Sequence, residues 1–104
     1  MLDTVCAQNF NPHIGKACRL SHPDGLSFDL VIDSVTETPK LQRPQDIRTP
    51  FSVLLTGDLT ASFHLGTFTI EVDGATFLSD VYIERVAPPW GLEPDKAFYQ
   101  IIFN

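Results

Sequence analysis

The chain has 104 residues, 43 % of them hydrophobic and 19 % charged, with seven Lys and Arg against thirteen Asp and Glu for a net charge of −6. That length suits one compact domain over residues 1–104 with a single core, and the composition is that of a globular protein, not of a disordered segment. The acids are spread over the whole length and no basic run occurs, which speaks against a nucleic-acid partner, because a phosphate backbone is recognised by a clustered positive footprint.

The opening "MLDTVCAQNF" has neither the basic flank nor the apolar run of a signal peptide, and no stretch approaches the roughly 20 apolar residues of a membrane span. A protein that is cytoplasmic as made, with no membrane partner, is the expectation. Within the N-terminal segment, residues 1–15, a short helical turn is predicted from about Asp3 to Gln8, with Phe10 and Ile14 as anchors closing one end of the core. Cys6 and Cys18 are the only cysteines, without a second pair and without a histidine at metal-ligand spacing. They read as small buried hydrophobes, a disulfide being the alternative that a reducing cytosol disfavours.

From residue 16 onward, apolar residues alternate with period two and no long stretch shows helical spacing, so the chain is predicted to be all-β. "KACRLS" and "LSFDLVIDSV" form a hairpin across "HPDG", with Asp24-Gly25 in the turn; Phe28, Leu30 and Ile32 face inward, opposite to Asp29 and Asp33. Residues 36–49, with Pro39 and Pro44 ahead of Pro50, read as a long connection. "PFSVLLTG" is a strand opened by Pro50 and closed by Gly57. After a second loop, "TFTIEV" alternates Phe68, Ile70 and Val72 inward, and Asp73-Gly74 turns the chain into "FLSDVYIERV", with Phe77, Val81 and Ile83 inward and Asp80, Tyr82 and Glu84 outward. A proline-rich loop, residues 87–96, carries the single tryptophan, Trp90, and "AFYQIIFN" is the last strand. Six strands of this kind make a small antiparallel barrel or a two-sheet sandwich, between which the residues do not choose.

Chemistry-bearing constellations are sparse. His13, His22 and His64 fall in three different segments, no Gly-x-Ser-x-Gly elbow surrounds a serine, and the glycines at 57, 66, 74 and 91 are isolated, so neither a metal, a nucleotide cofactor nor a hydrolytic triad is indicated. Asp29 with Asp33 and Asp80 with Glu84 would build an acidic ladder if their two strands were neighbours, able to bind calcium or to act as paired acid and base. The ordinary alternative is a solvated strand face.

The positive signal is in strands apolar on both faces. Phe51, Val53 and Leu55 form one row and Leu54 lies on the other; Tyr99, Ile101 and Phe103 form one row, and Phe98 with Ile102 the second. The surplus row needs cover, either from Phe10, Leu41 and Trp90 of the same chain or from another protein, with the last strand as a pairing edge. Leu54, Tyr82, Trp90, Phe98 and Ile102 are therefore the candidate contact residues. Trp90 is either a plug laid over Phe98 and Ile102 or an exposed anchor.

The residues Phe10, Pro12 and Gly15, the run Pro50 to Leu55 with Gly57, then Gly66, Thr67, Phe68, Ile70 and Glu71, and finally Tyr99, Phe103 and Asn104 follow a pattern. It resembles a family of short bacterial proteins known only as a domain of unknown function, which read Phe-x-Pro-x-x-Gly, Pro-Phe-Ser-Leu-Leu-Phe-x-Gly, Gly-Thr-Tyr-x-Leu-Glu and Tyr-x-Ala-x-Phe-Asn. The resemblance covers nearly the whole chain and implies no catalytic residues; genes of that family often stand beside those for tail-collar proteins of phage-tail-fibre type. "APPWGLEPDK" departs from it, since the family's last hairpin is short and polar. Together these readings give three expectations. The first is a non-catalytic interaction or assembly module, an accessory subunit of a phage-tail-like or fibre-forming system. The second is a small-ligand or glycan-binding domain stacking on Trp90 and Tyr82, and the third an enzyme using its carboxylate rows or His64.

Overall fold

The computed structural model describes residues 5–38, 49–59, 63–87 and 96–103. Their elements in chain order are a helix α1 (Ala7–Phe10), a 3-10 turn (Asn11–His13), and strands β1 (Ala17–Ser21), β2 (Ser27–Glu37), β3 (Phe51–Asp58), β4 (Leu65–Val72), β5 (Ala75–Val86) and β6 (Lys96–Phe103). The strands close into an antiparallel barrel in the order β1-β2-β3-β6-β5-β4, with β4 pairing back onto β1. The choice between barrel and sandwich thus falls to the barrel. Closure also removes the pairing edge expected of the last strand, because β6 is bonded to β3 on one side and to β5 on the other.

The inward rows are those that the alternation predicts. Leu30 and Ile32 of β2, Phe51, Val53 and Leu55 of β3, Phe68, Ile70 and Val72 of β4, Val81 and Ile83 of β5, and Ala97, Tyr99, Ile101 and Phe103 of β6 form one buried cluster. The two hairpin turns also stand where the Asp-Gly pairs put them. Asp73 and Gly74 both have positive φ, as the two-residue turn between Val72 and Ala75 requires. In the β1–β2 turn only Gly25 does, and Asp24 instead accepts a hydrogen bond from the Leu26 N–H at 3.2 Å. That donor, and then His22 at 2.7 Å, hold the Asp24 carboxyl below the usual carboxylate range.

Bulges shift the pattern where alternation alone does not foresee them. In β2, Ile32 pairs with Leu55 but Ser34 pairs with Leu54, so Asp33 is the extra residue and Val35, not Ser34, returns to the core side. In β5, register shifts opposite Phe68–Glu71 accompany a left-handed Asp80 (φ 58°), and both Phe77 and Leu78 pack against the core.

The N-terminal segment closes one barrel end, with its helix starting four residues later than predicted: it begins at Ala7, after Cys6, whose N–H donates to Asn9 Oδ1 at 2.8 Å. Phe10 is fully buried against the rings of Phe51, Phe77 and Phe103 at centroid distances of 6.0, 5.1 and 5.7 Å. Ile14 does not share that role; at 45 % exposure it points to solvent, because the 3-10 turn ends at His13 and the chain leaves extended toward Gly15. The other end is filled by Phe28, Phe63, Phe68 and Tyr99, whose hydroxyl accepts from the Phe63 N–H at 3.3 Å. Trp90 and Leu41, offered as cover for the outer rows, lie outside the described residues, as do most of the proline-rich connections that hold them.

Candidate functional site

Barrel geometry turns one set of β-strand positions into the core and leaves the other facing out, so every apolar residue in the second set is in search of a partner. On β3, β5 and β6 the outward set is Ser52, Leu54, Thr56 and Asp58; Asp80, Tyr82, Glu84 and Val86; and Lys96, Phe98, Gln100 and Ile102. The registers Ser52–Ile102, Leu54–Gln100, Thr56–Phe98, Glu84–Gln100 and Val86–Phe98 lay these side chains out as successive rows across three adjacent strands. Four of the five candidate contact residues therefore share one face, and the fifth, Trp90, lies outside the described residues.

The face divides along its length. At the Val86–Phe98–Thr56 end, Phe98 is only 3 % exposed although it is absent from the barrel's inner cluster, and Thr56 Oγ1 is shielded from water without a hydrogen-bond partner. Phe98 thus offers no free surface to another protein. At the opposite end, Ile102 is 57 % and Tyr82 51 % exposed, and Leu54 between the two ends is half-buried. Leu65, opposite Glu84 on β4, is 61 % exposed and extends the face sideways; the reading of the sequence passed over it, yet alternation counted backwards from the inward Phe68 puts Leu65 with Thr67 on the outside.

The acidic ladder does not form. β2 lies between β1 and β3 and β5 between β4 and β6, so Asp29 and Asp33 never face Asp80 and Glu84. Asp29 is instead paired across the hairpin with Arg19, whose Nε stands 3.0 Å from Asp29 Oδ1 and whose pKa rises, first through that hydrogen bond. Glu71 flanks Arg19 on β4 and Lys16 reaches Asp73 at 3.5 Å, giving an open depression with charges of both signs. Among the described residues no group of three or more His, Cys, Asp or Glu side chains could hold a metal ion, and no helix is long and apolar enough to cross a membrane. His13 packs edge-on against Phe77, His22 against Phe68, and His64 precedes β4, so the three are not brought together.

Cys6 and Cys18 are both free thiols. Cys18 is buried inside the barrel, and burial first, then the charge of Asp29, pushes its thiol up to about 11. A neutral Cys18 is therefore part of the fold. The stability it contributes is whole below the thiol's ordinary value near ~8.5 and is lost as pH rises through about 11. We expect the urea midpoints of the wild type and of Cys18→Ala to converge as pH is raised across that window, and Cys6 to react with a thiol reagent well before Cys18. Midpoints that keep their separation across the window would refute it.

No curated protein and no solved structure matches the chain. One family profile does, over residues 5–103, which takes in the N-terminal plug, all six strands and the outward rows alike. The chain belongs to the family DUF6916, a domain of unknown function.

Proposed function

We propose that the chain is a non-catalytic interaction module that holds another protein on the outward face of β3, β5 and β6. The observation that carries the reading is the pair Ile102 and Tyr82, large side chains more than half exposed on strands whose opposite face is already the core. Covering them removes apolar area from water at ~25 cal/mol per Å², and aromatic residues such as Tyr82 are enriched among interface hot spots. The resemblance to a family encoded beside tail-collar proteins supports a place as accessory subunit in a phage-tail-like or fibre-forming assembly, made in the cytoplasm and then incorporated.

The test is capture of the product of an adjacent gene by immobilised wild type, Ile102→Asp and Tyr82→Ala, with circular dichroism as the check on folding. Both side chains are exposed, so both variants should fold, and each should lower the captured amount at least tenfold, about 1.4 kcal/mol. Capture unaffected by either variant would sink the proposal. Glycan stacking is the competing reading, favoured by the exposed ring of Tyr82 alone; it predicts that Tyr82→Ala abolishes binding to a sugar panel while Ile102→Asp does not.

A further inference from the structure

We infer that Asp73 is a site of spontaneous covalent modification, isomerising to isoaspartate through a succinimide ring closed by the Gly74 amide, while the chain's other Asp-Gly pair, Asp24-Gly25, is protected by its hydrogen bonds. The inference is independent of the outward face. Aspartate followed by glycine is open to this ring closure because glycine puts no side chain beside the attacking nitrogen. Both pairs lie in hairpin turns and both glycines have positive φ, so residue type and turn position do not separate them. Their hydrogen bonds do.

At Asp24-Gly25 both reacting groups are engaged. The nucleophile, the Gly25 N–H, donates to the His22 carbonyl at 3.0 Å. The electrophile, the Asp24 carboxyl, accepts from the Leu26 N–H at 3.2 Å, and His22 Nδ1 stands 2.7 Å from the same oxygen. Those partners also keep the carboxyl ionised, the form that gives up an oxygen as water less readily than the acid does. At Asp73-Gly74 the Gly74 N–H has no hydrogen-bond partner among the described residues, and a Cβ placed on Gly74 would meet no atom within 4 Å. The Asp73 carboxylate faces Lys16 Nζ at 3.5 Å, in a pair whose side chains are both exposed, and such a pair restrains its members little.

Ring closure joins the Gly74 nitrogen to Asp73 Cγ, and the amide proton leaves with the carboxyl's OH as water. Water then adds to one of the two ring carbonyls. Attack at Cγ restores aspartate; attack at the main-chain carbonyl carbon leaves isoaspartate, whose chain runs through Cβ and Cγ and whose α-carboxyl becomes the side group. No oxidant, reductant or cofactor takes part. The product has one more backbone carbon in a two-residue turn whose ends, Val72 and Ala75, are paired, and β4 beyond that turn closes the barrel onto β1. Isomerisation therefore strikes the hairpin that completes the barrel.

The test is to age the full chain in mildly acidic buffer, folded and in guanidinium chloride, and to locate isoaspartate by peptide mapping. Electron-transfer fragmentation cleaves the isoaspartyl Cα–Cβ bond and so reads a linkage that leaves the mass unchanged. In the folded chain isoaspartate should accumulate at 73 at least about fivefold faster than at 24, the factor supplied by one hydrogen bond that must break before reaction. In guanidinium the two rates should converge, since the protection at 24 belongs to the fold. Equal rates in the folded chain, isoaspartate at neither site, or a preference for 73 that persists in guanidinium overturns the inference. The isoaspartyl form, separated from its parent, should unfold at a lower urea concentration; an unchanged midpoint overturns the effect on the hairpin.

Discussion

Phe10→Ala is expected to cost the domain about 3–5 kcal/mol, the range for emptying a buried phenylalanine site. Phe10 is wholly shielded from water and touches three further rings, two of which, Phe51 and Phe103, are themselves stacked at 4.6 Å. They are held on separate strands and Phe77 is fixed by the bulged start of β5, so the site has little freedom to collapse around the missing ring. For a domain of about this size each kcal/mol lowers Tm by ~4–8 °C, so the melt should fall by more than ~10 °C. Ile14→Ala, four residues on, is the control: at 45 % exposure it should change stability by less than about 1 kcal/mol. Equal losses for both variants would show that the segment does not anchor the barrel through Phe10.

The second large effect belongs to Gly57, which falls in the inward row of β3 opposite Leu30 and Ala97. A Cβ placed there would overlap Leu30 Cδ2, and Leu30 is 2 % exposed, so its side chain has nowhere open to move. Gly57→Ala should therefore destabilise by about 1–3 kcal/mol through overpacking, despite removing a flexible residue from a strand. The cause can be isolated with a double-mutant cycle. Leu30→Ala alone should cost about 2–5 kcal/mol, but in that background Gly57→Ala should cost little, a coupling within the ~0.5–3 kcal/mol seen for side chains in contact. Strict additivity would mean that Gly57 is needed for its backbone and not for the space it leaves.

The same two residues show how far the sequence could be read. Gly57 reads as the end of a strand, since an isolated glycine after an apolar run usually marks a turn; that it continues the strand and makes room for Leu30 depends on a neighbour 27 positions away. Phe10 was legible as an anchor because it is a large apolar residue in a polar segment, whereas Ile14 met the same description and failed it. Among the candidate contacts, the alternation correctly put Leu54, Tyr82, Phe98 and Ile102 off the core side. It could not separate the buried Phe98 from the exposed Ile102, since both occupy the same outward row of β6.

By itself, then, the order of residues determined which side of each strand is inside away from the bulges, where the two Asp-Gly turns fall, and that the strands carry more apolar surface than one core consumes. These are local properties, set by the period-two geometry of an extended chain and by the φ values that glycine and aspartate tolerate. Closure into a barrel, the loss of an edge on β6, the separation of Asp29 from Asp80, and the bulges at Asp33 and Asp80 were decided only by tertiary structure. Strand neighbours are chosen by the joint fit of six hydrophobic rows around one axis, and no window of sequence contains that fit.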